Sequence, residues 1–217
     1  MIITKDSPSV QRVAFDDYRY HGDIITDELL RIELPHLTVR GKIRAAGGIE
    51  AEGSLTVDGE IKTDDELSCK GDLCNGGNIT VGSVRIRGKL STSGALVSTY
   101  NIVVDKALYV RKRIVTTCNI HCDDTICCGG SIATGNGIRA DGCIITESYL
   151  MSGSSIFAGK SIRAKTYISA DQQIYAGMDT NDGLSAGNDH ITCSELKKGT
   201  VEHGVLIIES NAGEEES

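Results

Sequence analysis

The 217-residue chain has no tryptophan, two phenylalanines and two prolines, and aromatic residues make up only 4% of it. Large aromatic side chains supply much of the volume of an ordinary layered core. Their scarcity points to a narrow interior filled by aliphatic groups. With Pro8 and Pro35 as its only prolines, the chain carries no proline-rich flanks. No apolar run approaches the length of a membrane span, and Met1-Ile-Ile-Thr-Lys-Asp opens without the apolar stretch of a secretion signal. A cytoplasmic protein with no membrane span is therefore expected. The formal net charge of −8 makes nucleic acid a poor default partner.

What the chain does have is a beat of six. Leu37, Ile43, Ile49, Leu55, Ile61, Leu67, Leu73 and Ile79 are followed, after one step of five, by Val84 and Leu90, and the beat then holds to Ile174. That is 24 consecutive Leu, Ile or Val residues. Two places after each stands a small or β-branched residue, such as Val39, Ala45, Thr63, Cys69, Cys122 or Ala158, with Asn75 the polar exception. Residues two apart share one side of an extended strand, so positions one and three of each hexad should face inward. Position four is often charged and should face solvent. Position five is often Gly in the first half (Gly41, Gly53, Gly59, Gly71), which suits a corner. A period of six with a partner at plus two does not fit a 3.6-residue helical turn.

Short strands joined by corners give an all-β fold: a single-stranded, three-sided β-helix, or β-solenoid, with about 18 residues per turn. The pattern predicts a solenoid over residues 32–196, with Ile32 and Leu34 as a shortened first unit. After an insertion around Thr180–Gly183, Leu184-Ser-Ala186 and Ile191-Thr-Cys193 continue it. About nine turns at ~4.8 Å per strand would span ~40 Å. Residues 1–31 read as an N-terminal cap, and 197–217 as a C-terminal strand or cap ending in an acidic tail that should fray.

The eight cysteines could suggest disulfides, yet Cys69, Cys122, Cys128 and Cys193 all fall at inward position three among Ala, Val, Thr and Ser. They read as small core residues. The segment containing Cys118, His121, Cys122, Cys127 and Cys128 could instead hold a metal, although it has no standard zinc spacing; no metal or other cofactor is expected. Outward position two is polar in the first half and turns apolar later. At 18 residues per turn, Val97, Val115, Ala133 and Met151 should form one exposed line, and Phe157 and Tyr175 another on a neighbouring face. Such a stripe is covered either by the chain's own C-terminal segment or by a partner, whether another copy or a different protein. Lys106, Arg111, Lys112 and Arg113 lie close in sequence on outer or corner positions, either as a solvated corner or as a contact for an acidic partner.

The run Leu37-Thr-Val-Arg-Gly-Lys-Ile-Arg-Ala-Ala-Gly-Gly-Ile-Glu-Ala-Glu-Gly-Ser-Leu-Thr-Val-Asp-Gly-Glu-Ile61 resembles the bactofilins, polymer-forming bacterial cytoskeletal proteins. The resemblance is strongest over 37–95. It implies a right-handed coil and nucleotide-independent polymerisation through the apolar ends. The solenoid here is longer than that family's usual core, and its flanks look able to cap the ends. Hexapeptide acyltransferases also use six-residue repeats, but their small residue precedes the aliphatic by two, and they carry a projecting loop with a histidine base. Leu37–Ile174 leaves no room for such a loop, and His121 sits in a regular hexad. The reading is a non-catalytic scaffold that self-associates, with a soluble partner-binding solenoid of inhibitor or immunity type as the alternative.

Overall fold

The computed structural model describes residues 1–177 and 190–209. It is all-β: a parallel β-solenoid of about 10 turns with about 18 residues per turn. Most hexads contribute one strand of two to five residues, and successive strands fall on three faces. Face one runs from Asp17–His21 and His36–Arg40 through Leu108–Val110 to Val205–Ile208. Face two contains Ile24–Thr26, Ile43–Ala45, Leu96–Ser98, Ile114–Thr116, Ile132–Thr134 and Leu150–Ser152. Face three contains Leu30–Ile32, Ile49–Ala51, Ile102–Val104, Ile120–Cys122, Ile138–Ala140 and Ile156–Ala158. Strands pair in parallel with the same face one coil away, so aliphatic stacks on aliphatic: Ile102 on Ile120, Ile120 on Ile138, Ile138 on Ile156. From Leu37 to Ile174 every position-one residue is buried.

Two side-chain rules connect the coils where the strands stop. Where the residue just before position one is Asp, Asn, Ser or Thr, its side chain can accept a hydrogen bond from the backbone amide of its counterpart in the next coil. Asp72 Oδ1 accepts from Lys89 N at 2.8 Å, Asn78 Oδ1 from Ala95 N at 2.9 Å, and Asn119 Oδ1 from Gly137 N at 3.0 Å. Inward position three works in the opposite sense where it is Ser, Thr, Cys or Asn. Its side chain then donates to a corner carbonyl of the preceding coil: Ser152 Oγ to Asn136 O at 2.6 Å, Asn75 Nδ2 to Gly59 O at 2.6 Å, Thr134 Oγ1 to Cys118 O, and Cys122 Sγ to Lys106 O at 2.8 Å. Corner groups facing a narrow apolar interior would otherwise be unpaired, at a cost of about 1–3 kcal/mol each. Asn75, the misfit of the sequence pattern, obeys this rule. Cys69 and Cys128 obey it too, donating to Gly53 O at 3.0 Å and Lys112 O at 3.1 Å.

The irregular steps are absorbed at corners. The five-residue step between Ile79 and Val84 removes one residue from a corner at Gly82, where an added Cβ would stand 2.4 Å from Asp64 O. A second corner with so close an approach is Gly94, whose Cβ would stand 2.1 Å from Gly77 O.

The ends differ from expectation. Tyr18, Ile24 and Leu30 already keep the six-residue spacing, and their strands pair in register with Leu37, Ile43 and Ile49. The coil thus begins near Asp17, inside the segment expected to be a cap; an aromatic residue at the first beat conceals it. The first inward pair on face three is Leu30 and Ile32, and Leu34 is buried in a corner lengthened by Pro35. Capping falls to the residues before Asp17. Val10–Ala14 pairs antiparallel with Asp17–His21, and Ile2–Ile3 pairs with Leu30–Ile32, burying Ile3. At the other end the coil continues past residue 196. Glu195–His203 and Val205–Ile208 add strands in parallel, with inward residues Ile191, Leu196, Val201 and Leu206 now five apart. Gly199 and Gly204, at φ +112° and +109°, make the tighter corners. The expected insertion at Thr180–Gly183, the Leu184–Ala186 unit and the acidic end from Asn211 lie outside the described residues.

Two outcomes follow for stability. Thr134→Val removes both the bond to Cys118 O and the one from Asn136 N, and should cost about 1–3 kcal/mol in urea unfolding, with Thr134→Ser retaining most of it. Gly94→Ala should lower the melting temperature by an amount corresponding to about 1–3 kcal/mol, because the opposing atoms are backbone.

Candidate interaction surfaces

Outward position two turns the register into surface columns. On face two, Arg44, Lys62 and Thr80 give way to Val97, Val115, Ala133 and Met151, each directly over the last. Val97, Val115 and Ala133 are half-buried by their neighbours in the column, and Met151 is 42% exposed. The four residues stack in one column as their spacing of 18 predicts, but only Met151 is exposed where four exposed positions are expected. Among the described residues, the C-terminal segment does not fold back over it: residues 190–208 extend the coil instead.

On face three the column reads Val103, His121, Arg139, Phe157, Tyr175, His203. Phe157 and Tyr175 are together, with ring centroids 6.2 Å apart. The Arg139 guanidinium lies 4.8 Å above the Phe157 ring, and His121 Nε2 lies 2.9 Å from Asp123. Arg139 is not among the residues expected from the sequence, although it stands one coil before Phe157. A second, unexpected aromatic ladder runs along the corner between faces one and two. Tyr149 and Tyr167 stack at 5.0 Å and 5°, with Lys197 Nζ 3.9 Å over Tyr167.

The basic group does not form one patch. Lys106 occupies the corner between faces three and one, whereas Arg111, Lys112 and Arg113 occupy the next corner, between faces one and two. The strand Leu108–Val110 separates them, because one hexad carries the chain across a whole face. All four are exposed and, among the described residues, none is ion-paired. The first half behaves differently. There Arg40–Asp58 (2.9 Å), Arg31–Glu50 (3.1 Å), Arg44–Glu60, Lys70–Glu52 and Arg85–Glu66 (3.5 Å) pair along or between coils. The Arg44 hydrogen bond holds the Glu60 carboxyl below its ordinary pKa, and the Lys42 amide does the same for Asp23.

The cysteines are dispersed. Cys122 and Cys128 point inward, Cys127 points outward on face one, and Cys118 sits at a corner between faces two and three. Among the described residues no three His, Cys, Asp or Glu side chains are grouped as metal ligands. Burial pushes the Cys69 and Cys122 thiols up to about 11. No helix among the described residues is long and apolar enough to cross a membrane.

The two ends are unlike. At the C-terminal end, Leu206 and Ile208 occupy inward positions yet remain 38% and 52% exposed, since no further coil covers them among the described residues. Leu196 and Val201 are only partly buried against the core. Among the described residues, Val205–Ile208 has no strand on its outer edge.

No protein-family model, curated protein or solved structure matches this chain.

Native-state alkylation at pH 8 with peptide mapping should label exposed Cys74 within minutes. Cys69 and Cys122 should lag by at least ~100-fold, since a thiol of pKa about 11 is only ~0.1% thiolate there. Equal rates would refute their role as core donors.

Proposed function

We propose that this chain is a non-catalytic scaffold, bactofilin-like in the character of its repeats, that self-associates end to end. The observation that carries this reading is the open C-terminal coil. Among the described residues, the strand Val205–Ile208 has an unpaired outer edge, with Leu206 and Ile208 pointing along the interior and uncovered. An unpaired parallel strand is a template for another strand. Covering an exposed Leu or Ile contributes about 1.5–3 kcal/mol per side chain when burial is complete. Joining this end to the N-terminal coil of another copy would extend both the hydrogen-bond ladder and the core in one contact. The antiparallel hairpin at the N-terminal end supports a directional assembly, since that end is partly covered. Eight unpaired cysteines suit a reducing compartment, in keeping with the expected cytoplasmic location.

The alternative, a partner-binding solenoid, draws on the Arg139–Phe157–Tyr175 column, which offers a cation and two rings on an accessible face. The open end favours self-association because, among the described residues, it leaves backbone groups, not merely side chains, without partners.

Light scattering after size exclusion, with electron microscopy, tests the reading. The wild-type protein should form large, concentration-dependent assemblies. Leu206→Glu/Ile208→Glu should shift the assembly threshold at least tenfold upward while leaving the melting transition of the coils in place. A wild-type protein that stays monomeric at all concentrations overturns the proposal.

A further inference from the structure

The apolar stripe of face two is flanked by corners of graded side-chain size: one edge alternates small and bulky, and the other falls from Thr to Gly. On the edge shared with face one, the residue nearest the stripe is Ala95, Arg113, Ser131 and Tyr149 in four successive coils. On the opposite edge the sequence is Thr99, Thr117, Gly135, Gly153. Along the stripe itself it is Val97, Val115, Ala133, Met151. These columns have a common property. If the order of coils is reversed, every large residue meets a small one at the edges: Tyr149 falls on Ala95, Arg113 on Ser131, Thr117 on Gly135 and Thr99 on Gly153. In the middle, Met151 falls on Val97 and Val115 on Ala133.

Reversal of order across a shared face is what a two-fold axis does when it lies in that face and runs perpendicular to the solenoid axis. We propose that face two, over Leu96–Ser152, is a self-complementary lateral interface. A second copy would pack antiparallel about an axis passing between the strands Ile114–Thr116 and Ile132–Thr134. The groove between Asn78, Ala95, Lys112, Arg113 and Gly130 would receive Tyr149 of the second copy. The Tyr149 ring would then lie beside the Arg113 guanidinium, an arrangement that favours the unpaired cation.

The size of the patch says where this contact operates. Four strands at ~4.8 Å spacing, one face wide, bury a few hundred Å2 per copy, below the ~800 Å2 per partner of stable free complexes. One such contact is weak. In an end-joined polymer the same contact repeats along both partners, and linked weak contacts multiply. In that role the inference rests on the end-to-end reading, and assigns face two to bundling of antiparallel polymers; the contact itself does not require polymer ends.

Cross-linking reads the register directly. Val97→Cys and Met151→Cys variants are mixed under reducing conditions, concentrated and then oxidised, with the wild-type protein as the background for Cys74. Both substitutions lie at outward positions, and thermal melts confirm folding. The mixture should yield covalent dimer at least tenfold above either variant alone, because residue 97 of one copy meets residue 151 of the other. Efficient cross-linking of Val97→Cys alone would mean a parallel pairing and overturn the inference. So would background levels in the mixture at high concentration, whether or not end-to-end assemblies persist. The same mixture made with Leu206→Glu/Ile208→Glu added separates the two proposals. Cross-links that survive loss of the polymer support the lateral contact by itself, and polymers without cross-links leave only the end contact.

Discussion

Everything in this fold depends on satisfying backbone groups at the corners. The strands are three residues long in most coils, so nearly half of each coil lies outside the regular ladder, around an interior filled by buried, mostly aliphatic side chains. At many corners a backbone amide of the next coil supplies the partner of the carbonyl, and at others a side chain does. The chain uses two slots for the purpose. Position three sends a hydroxyl, thiol or amide donor back to the preceding coil, and position six accepts an amide from the following one. The donor must be small, because it shares the interior with stacked Leu and Ile side chains. That requirement explains why Cys, Ser and Thr exchange for one another at this slot, and why the thiols serve the core without needing a disulfide or a metal.

The inside of this protein is more legible in its sequence than the edges are. A constant 18-residue coil makes stacking a matter of subtraction, so the line Val97–Val115–Ala133–Met151 can be read from residue numbers alone. Periodicity misleads where the coil departs from constancy or the beat from aliphatic residues. Tyr18 can open the first coil because a terminal turn leaves room for a ring, and a pattern of Leu, Ile and Val passes over it. The last coil steps by five through Leu196, Val201 and Leu206, so a six-residue ruler ends too early. Short sequence distance groups Lys106 with Arg111–Arg113, but in a solenoid six residues cross a face, and true neighbours are 18 apart. Arg139 over Phe157 shows the same principle from the other side.

The outer surface divides the molecule along its axis. In the first half, charges of opposite sign alternate between coils and pair. Each exposed pair contributes only about 0–1 kcal/mol, but together they keep that surface hydrated and unattractive to other chains. In the second half the same outward slots hold Val, Ala, Met, Phe and Tyr, and the corner cations Arg111, Lys112 and Arg113 form no ion pair among the described residues. The scaffold is continuous through both halves. Its interior rules do not change, so the difference outside is one that folding does not require.

A repeat this regular carries a hazard in its own folding. Any coil offers nearly the same edge as any other, and a strand that docks one coil too early would find acceptable aliphatic partners. The corner at Gly82 and the one lengthened by Pro35 break that degeneracy. Ile79 to Leu96 spans 17 residues and Ile24 to Ile43 spans 19, while the regular coils keep 18. A chain displaced by one full coil would bring the short turn against a regular one, leaving one residue without a place. These two irregularities act as index marks. They let a nearly periodic sequence specify a single alignment, so that the funnel toward the native coil has one bottom and not several.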